Sequence, residues 1–539
     1  MPKWLNKAVF YEIYPQSFKD SNGDGIGDFN GIIEKLPYIK SLGCNAIWMN
    51  PCFDSPFKDA GYDVRDYKKT AERYGTNDDL KRLFDEAHKL DIHVILDLVP
   101  GHTSEEHEWF LKSAEAEPNE YSGRFIWTDF CFEGAGNTGY AFTGGEYPRS
   151  ATYISNFFKC QPALNYGWLH PTERWQVGMD HPDAIATREA IKDVMRFWLD
   201  LGCDGFRCDM APSLVKGDDE VKSGTCAVWT DIRKMLDEEY PEAALVAEWG
   251  NPSLAVPGGF HADFLLNDFR SGFSTLYRDY QNHSDGIIIG GPGFTGTDEP
   301  VPEFEDHSYF LSNGGGDITA FLADYMPMYE KVKDIGYISL VTCNHDTVRP
   351  TYNLNDDELK LMYAFLFTMP GVPFLYYGDE IGMRYLNLPT KEGGYFRTGS
   401  RTPMQWSSGK NLGFSSADAD ALYLPVDSAD DAPTVEAQEN DSESILNFVK
   451  KLLNFRAENA DLDADSAFEV IHAEAGDPLF AYRRGSMVIL LNPSDGDVKL
   501  SEKCNQAVEG KRCVFSAGTG VAEGNTGKNF SKESFAIFI

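Results

Sequence analysis

The chain has 539 residues and a formal net charge of −36, from 48 Lys and Arg against 84 Asp and Glu. That acidity argues against nucleic acid as a partner, because phosphate backbones are gripped by clustered Lys and Arg, and it equally disfavours an anionic membrane surface. Apolar residues make up 42% and aromatics 13%, enough for a large core divided over more than one domain, and no run of about 18 apolar residues offers a membrane span.

The opening MPKWLNKAVFYEIYPQSF reads as a strand of the fold rather than a charged start leading into an apolar leader, so the expected address is the cytoplasm. The ten cysteines agree. Cys44, Cys203, Cys208 and Cys343 fall in or beside predicted strands as small buried thiols, and Cys504 and Cys513, although close in sequence, are expected to stay unbridged.

In chain order, the first predicted strand is AVFYEIYP (8–15). The loop after it, DSNGDGIGD (20–28), presents Asp20, Asn22, Asp24, the carbonyl of Ile26 and Asp28 as alternating oxygens for a hard cation. It begins like an EF-hand, but Gly31 stands where the bidentate Glu would fall, and an Asx-turn is the alternative. Strands NAIWMNP (45–51) and HVILDLVP (93–100) follow, separated by a helix over 77–91. Residues 103–183, rich in Gly, Tyr, Phe and Asn, exceed any ordinary loop and are expected to form a lid subdomain.

Five more strands are predicted at 204–210, 244–250, 263–268, 337–346 and 371–380, with helices over 186–202, 226–241 and 355–371. The acidic run 426–444 is a solvated excursion before a helix over 444–459. Beyond it FEVIHAE, LFAYRRG, SMVILLNP and ESFAIFI alternate like antiparallel strands. The expected fold is therefore α/β: a (β/α)8 barrel over 1–102 and 184–460, a lid at 103–183 inserted after strand 3, and a C-terminal antiparallel β-sandwich over 461–539.

Barrel enzymes build their sites at the C-terminal ends of the strands. Polar residues gather there in this chain: Asp97 and His102, Arg207 and Asp209, Glu248, His345 and Asp346. Three carboxylates at one rim repel each other and lose solvent, which raises at least one pKa, while a nearby guanidinium keeps another ionised. Arg207 and Asp209 lie two apart on one strand and share a face, and Glu248 follows an apolar LVA beside Trp249. Such a division into a charged nucleophile and a protonated acid is what cleaving a glycosidic bond requires.

DLVPGH (97–102), GFRCD (205–209), AEWG (247–250), NHD (344–346) and GVPFLYYGDE (371–380) resemble, in order and spacing, the diagnostic segments of the α-amylase superfamily, glycoside hydrolase family 13. The resemblance implies Asp209 as nucleophile, Glu248 as general acid/base and Asp346 as the third carboxylate, with His102, Arg207 and His345 around the bound sugar. DAGYDVRDY (59–67) resembles the element that closes the non-reducing end of the pocket, with Asp59 on hydroxyls and Tyr62 stacked on the ring. Arg349 and Arg401 in RTPMQW resemble residues of exo-acting members of the oligo-1,6-glucosidase and α-glucosidase branch, while Phe157, four residues before QPALN, is read as part of the pocket's hydrophobic wall, with core packing as the alternative.

Three departures stand out. QPALN (161–165) has Ala163 where that branch carries Asp, Ser213 stands where classical amylases carry His, and Met210 after the nucleophile leaves linkage open. The implied activity is a retaining α-glucosidase acting on short malto-oligosaccharides, with oligo-1,6-glucosidases and trehalose or sucrose isomerases as alternatives. A structural Ca²⁺ in the 20–28 loop is also implied, replaceable by Mg²⁺, and no organic cofactor. The expected partner is a small oligosaccharide, and the oligomeric state is left open.

Overall fold

The structure, a computed structural model, describes residues 1–133, 139–266, 271–281, 305–393, 395–518 and 529–539. Eight parallel strands carry the architecture: β1 (Phe10–Ile13), β2 (Ala46–Met49), β3 (His93–Leu98), β4 (Gly205–Cys208), β5 (Ala244–Ala247), β6 (Ala262–Phe264), β7 (Tyr337–Ser339) and β8 (Phe374–Tyr376). Their order is β7-β6-β5-β4-β3-β2-β1-β8. The ring closes because the chain just past β7 pairs with β8, through a parallel bridge from Val341 to Phe374 and a bond from Phe374 N to the Leu340 carbonyl of 2.9 Å. Every residue of β1, β2, β4 and β5 is buried, as expected for strands covered on both faces.

The strands are shorter than their sequence patterns. The pattern over 337–346 yields a strand only to Ser339, because Thr342, Asn344, His345 and Asp346 leave the ladder to reach the rim. The last two positions of the pattern over 263–268 lie outside the described residues.

Helices pack outside the strands, and their starts follow capping chemistry. Thr76 and Asp79 form a reciprocal box at Asn77–His88, and Asn355 and Glu358 form one at Asp356–Leu366.

The segment after β3 folds on its own small cluster of Ile126, Ile154, Ala163 and Trp168, beside a hairpin of Ala141–Gly144 with Thr152–Ser155. An antiparallel bridge from His102 to Ala163 ties it to the barrel. Ala163 is fully buried in that cluster. A carboxylate there would be stranded among apolar groups, which accounts for Ala in place of the usual Asp.

The C-terminal region is a five-stranded antiparallel sheet. One face, with Phe480, Tyr482, Ile489, Leu491 and Ile537, joins the barrel core. Among the described residues the other face, with Ala481, Val488, Leu490 and Ala536, is covered by the helix Glu502–Val508 and a two-stranded ribbon of 498–499 with 529–530, rather than by an equal second sheet. None of the ten cysteines is in a disulfide, and no helix among the described residues is long and apolar enough to cross a membrane.

Candidate active site

Parallel register puts Asp97 of β3 beside Arg207 of β4. One residue beyond the strand ends, Asp209 N donates to the Leu98 carbonyl at 2.8 Å and Glu248 N to the Cys208 carbonyl at 3.0 Å, so both acids are held by the continuing ladder. Arg207, almost fully buried, spans them. Its Nη1 donates to Asp97 Oδ1 at 2.8 Å and Asp209 Oδ1 at 3.0 Å, and its Nη2 lies 2.7 Å from Glu248 Oε1.

Glu248 is therefore less isolated than its apolar approach in sequence promised. Besides Arg207, its Oε2 accepts the amide of Met210 at 2.8 Å. That amide is aimed by a left-handed conformation at Met210, φ 41° and ψ 43°, which a residue with a side chain adopts at some cost. Burial and the neighbouring Glu248 push Asp209 well above the usual carboxylate range while Arg207 pulls it down. The two carboxylates share this one guanidinium.

A second group closes one side. Asp346 Oδ1 accepts from Arg397 Nη1 at 2.8 Å and Arg401 Nη2 at 2.9 Å, and its Oδ2 is 3.2 Å from His345 Nε2. Burial alone would raise Asp346, but His345, Arg397 and Arg401 outweigh it and hold its carboxyl well below the ordinary range. Asp59 accepts from Gln161 Nε2 at 2.7 Å and faces Arg397 Nη2 at 3.5 Å. Burial pushes Asp59 up to about 6 against the pull of Arg397 and Gln161. Asp63, through the amides of Lys58 and Asp59, clamps the loop that carries it.

A cavity of about 400 Å³ lies between these groups, a size typical of small-molecule sites. Asp59, Tyr62, His102, Asp209, Glu248, Asp346 and Arg397 supply its polar lining, and Phe157, Met210, Trp249 and Leu266 its apolar side. Phe157 stands at the rim, half exposed.

His102 borders the cavity, with Nε2 donating to the Tyr62 carbonyl at 3.2 Å. Burial pulls it down to about 3, so it is neutral. His345 is wholly buried, its Nδ1 2.9 Å from Glu12 and its Nε2 2.6 Å from the Tyr62 hydroxyl. Asp346 and Glu12 raise His345 against its burial, which favours an imidazolium braced between two acids. It lies behind the lining rather than in it.

Arg401 is likewise a buried support of Asp346, and its Nε donates to the His345 carbonyl at 2.8 Å. Arg349 departs from expectation. It faces away from the cavity, paired with Asp379 at 2.7 Å and donating to the carbonyls of Tyr377 and Ser400, because a buried guanidinium takes the nearest carboxylate. Arg397 occupies the place expected of Arg349. Its signal in sequence was its position four residues before Arg401, one helical turn. Gln161, which fixes Asp59, was hidden in a motif read for its missing Asp.

The residues expected to hold calcium lie in one loop with donors of the right kind. Their oxygens turn onto the loop itself: Asp20 accepts the amides of Asn22, Gly23 and Gly25, Asp24 that of Ile26, and Asp28 those of Ser21 and Gly31. Among the described residues no group of three His, Cys, Asp or Glu side chains is gathered as a metal needs. As it stands, the loop is a series of Asx-turns, with Asp28 also capping the helix Phe29–Leu42.

The catalytic domain described as "Alpha amylase, catalytic domain" matches residues 12–256 and 316–465. The chain is similar to the trehalose synthase/amylase TreS of Mycolicibacterium smegmatis, 34% identical over 84% of this chain and 76% of the relative. It is also similar to the probable oligo-1,6-glucosidase 3 of Bacillus subtilis, 31% identical over 89% and 88%. The crystal structure of the Bacillus licheniformis trehalose-6-phosphate hydrolase TreA superposes with a TM-score of 0.76 at 25% identity, covering 100% of this chain and 99% of that one.

Proposed function

We propose, from the premise that this chain belongs to the α-amylase family and is a glycosidase of that family, that it releases glucose from the non-reducing end of short α-1,4-linked malto-oligosaccharides with retention of configuration. The observation that carries this reading is the wall of Asp59, Arg397 and Asp346. Two carboxylates bridged by one guanidinium stop the cavity on one side of the acid pair, and a stopped pocket takes terminal units where an open cleft would cut internally.

In this reading Glu248 gives its proton to the glycosidic oxygen as the C1–O bond breaks, and an Asp209 oxygen bonds to C1. Water then attacks C1, its proton passes to Glu248, and Asp209 leaves as carboxylate. Arg207, touching both acids, opposes the burial that raises Asp209 and so favours the carboxylate form that attacks C1. Asp346, held ionised by its cations, accepts from sugar hydroxyls, and Tyr62 offers a flat face to the ring.

Incubation with maltotriose is the test: glucose and maltose should appear, with α-glucose formed first. Neither hydrolysis nor glucosyl transfer from maltotriose would sink the reading. A second reading is favoured by the likeness to a trehalose synthase, in which a sugar replaces water as acceptor; maltose would then yield trehalose with little free glucose. Activity confined to isomaltose would point to an oligo-1,6-glucosidase.

Calcium in the 20–28 loop remains a proposal about structure, with no part in the chemistry. Elemental analysis of purified protein, with a melting temperature that falls on chelation, would support it. Ten cysteines outside any disulfide favour a reducing, cytoplasmic setting.

A further inference from the structure

Behind the apolar side of the cavity lies a buried amine that the glycosidic chemistry does not use. Lys216 is 3% exposed. Its Nζ donates to Asn156 Oδ1 at 2.8 Å and to the Ser213 carbonyl at 2.5 Å. Among the described residues no carboxylate stands within ion-pair reach of it. The charged and titratable groups around it are Lys222, the neutral His102 and the ring of Tyr140, 5.7 Å away. An ammonium buried without a counter-ion is costly, and such groups persist where position matters.

The main chain of Lys216 is stitched to the lid: its N–H donates to the Gly167 carbonyl and its carbonyl accepts from Leu169. Its side chain grips a second lid residue, Asn156. From there Asn156 Nδ2 reaches His102 Nδ1 and Ser213 Oγ, both at 3.2 Å, and lies 3.9 Å from Met210 Sδ. Gly101 makes this approach possible, since a Cβ there would stand 2.8 Å from Asn156 Nδ2. Asn156 thus meets three residues of the cavity lining and precedes a fourth, Phe157. Phe157, Met210 and Ser213 share the cavity lining with Asp209 and Glu248, the pocket that an acceptor must enter to reach the glucosyl-enzyme.

We propose that Lys216 is a positioning residue: by fixing Asn156 it sets Phe157, Met210 and Ser213 around the acceptor, and so governs how the glucosyl-enzyme divides between water and a second sugar. The inference rests on the glucosyl-transfer chemistry proposed above. In the step concerned, an acceptor O–H attacks C1, the bond from C1 to Asp209 breaks, and the proton goes to Glu248. Water gives glucose and a sugar hydroxyl gives a disaccharide.

The test uses initial rates of the full chain with p-nitrophenyl α-glucoside and added xylose, a sugar acceptor with no glycosidic bond of its own to cleave. Nitrophenol counts glucosyl-enzyme formed, glucose counts capture by water, and the difference counts transfer. Lys216→Met and Asn156→Leu should each change the transfer-to-hydrolysis ratio by about three-fold or more in the same direction, and the double variant should change it no further. Lys216→Arg, which keeps a donor, should move the ratio back towards the parent. Folded single variants that keep the parental ratio, or effects that multiply in the double variant, would overturn the inference. If Lys216→Met fails to fold, Asn156→Leu decides alone. A parent chain that releases no nitrophenol would overturn the α-glucosidase reading together with this one, whereas an active parent with an unmoved ratio sinks this one only.

Discussion

The floor and the stopped wall of the cavity hold carboxylates by different means. On the floor, Asp209 and Glu248 are placed by backbone ladders one residue past β4 and β5, and a single guanidinium serves them and Asp97. On the wall, Asp59 and Asp346 come from loops almost 300 positions apart, joined by Arg397, with Arg401 and His345 behind. The Asp59 loop carries positive φ at two non-glycine residues, 58° at Phe57 and 52° at Ala60, a strain that the amides on Asp63 offset. The floor gives three carboxylates a single guanidinium to share, which leaves Asp209 raised. The wall saturates Asp346 with cations so that it stays charged.

If that division is right, damage to the floor should fall on turnover and damage to the wall on binding. The largest effect is expected at Asp209→Asn, which should cut kcat by about 10⁴-fold while leaving a folded protein, since it removes a repelling buried charge. Glu248→Gln should cost about 10²–10⁴-fold in kcat, less for an activated aryl glucoside whose leaving group needs no proton. Next comes Arg397→Ala, which takes the facing guanidinium from Asp59 and one of the two guanidinium partners from Asp346. A loss of charge-assisted bonds worth about 1.5–3 kcal/mol each predicts a KM at least about ten-fold higher. Steady-state kinetics on maltotriose separate these outcomes. An Arg397→Ala enzyme with normal KM and a collapsed kcat would abolish the distinction.

The same difference marks what could be read from sequence. The floor was legible because strand-end motifs are local: GFRCD puts Arg207 and Asp209 on one face whatever the rest of the chain does. The eight strands were legible for the same reason, since buried parallel strands are continuous apolar runs. The wall depends on contacts between distant loops, so Arg349 was expected at the pocket and Arg397 was passed over, whereas Asp379 claims Arg349. Gln161 and Lys216 were invisible because an amide or amine in a lid has no meaning until its partner is known. The 20–28 loop reads two ways, because oxygens spaced for a cation are also spaced for their own amides.

A pH profile sharpens the contrast. Asp59 ionises near 6 in the folded chain, above its ordinary 3.8. Above that pH its carboxylate faces Arg397 and the sugar, and below it the wall is protonated. The profile of kcat/KM should therefore fall as pH drops through about 6, and Asp59→Asn should be low and flatter across that window. An acidic limb that survives Asp59→Asn would belong to the Asp209 and Glu248 pair instead. For stability the sign is opposite: a raised carboxylate pKa means the folded state prefers the proton, so ionising Asp59 costs stability as pH climbs from about 4 to 6, and the Asn variant escapes that cost.

The smallest effect concerns the strut between lid and floor. Burial, with Lys222 nearby, pulls the Lys216 amine from 10.5 down to about 7. The unfolded chain then binds more protons than the folded one between those values, so the parent gains stability relative to Lys216→Met as pH rises through that window, and below about 7 the burial cost is felt in full. Thermal melts of both proteins at pH 6 and pH 9 should show the Met variant faring better, relative to the parent, at the lower pH. The loss of two hydrogen bonds affects both pH values alike and cancels in the comparison. A difference between the melts that ignores pH would mean that the amine is solvated in the folded protein, and that the lid opens far enough to let water reach the back of the floor.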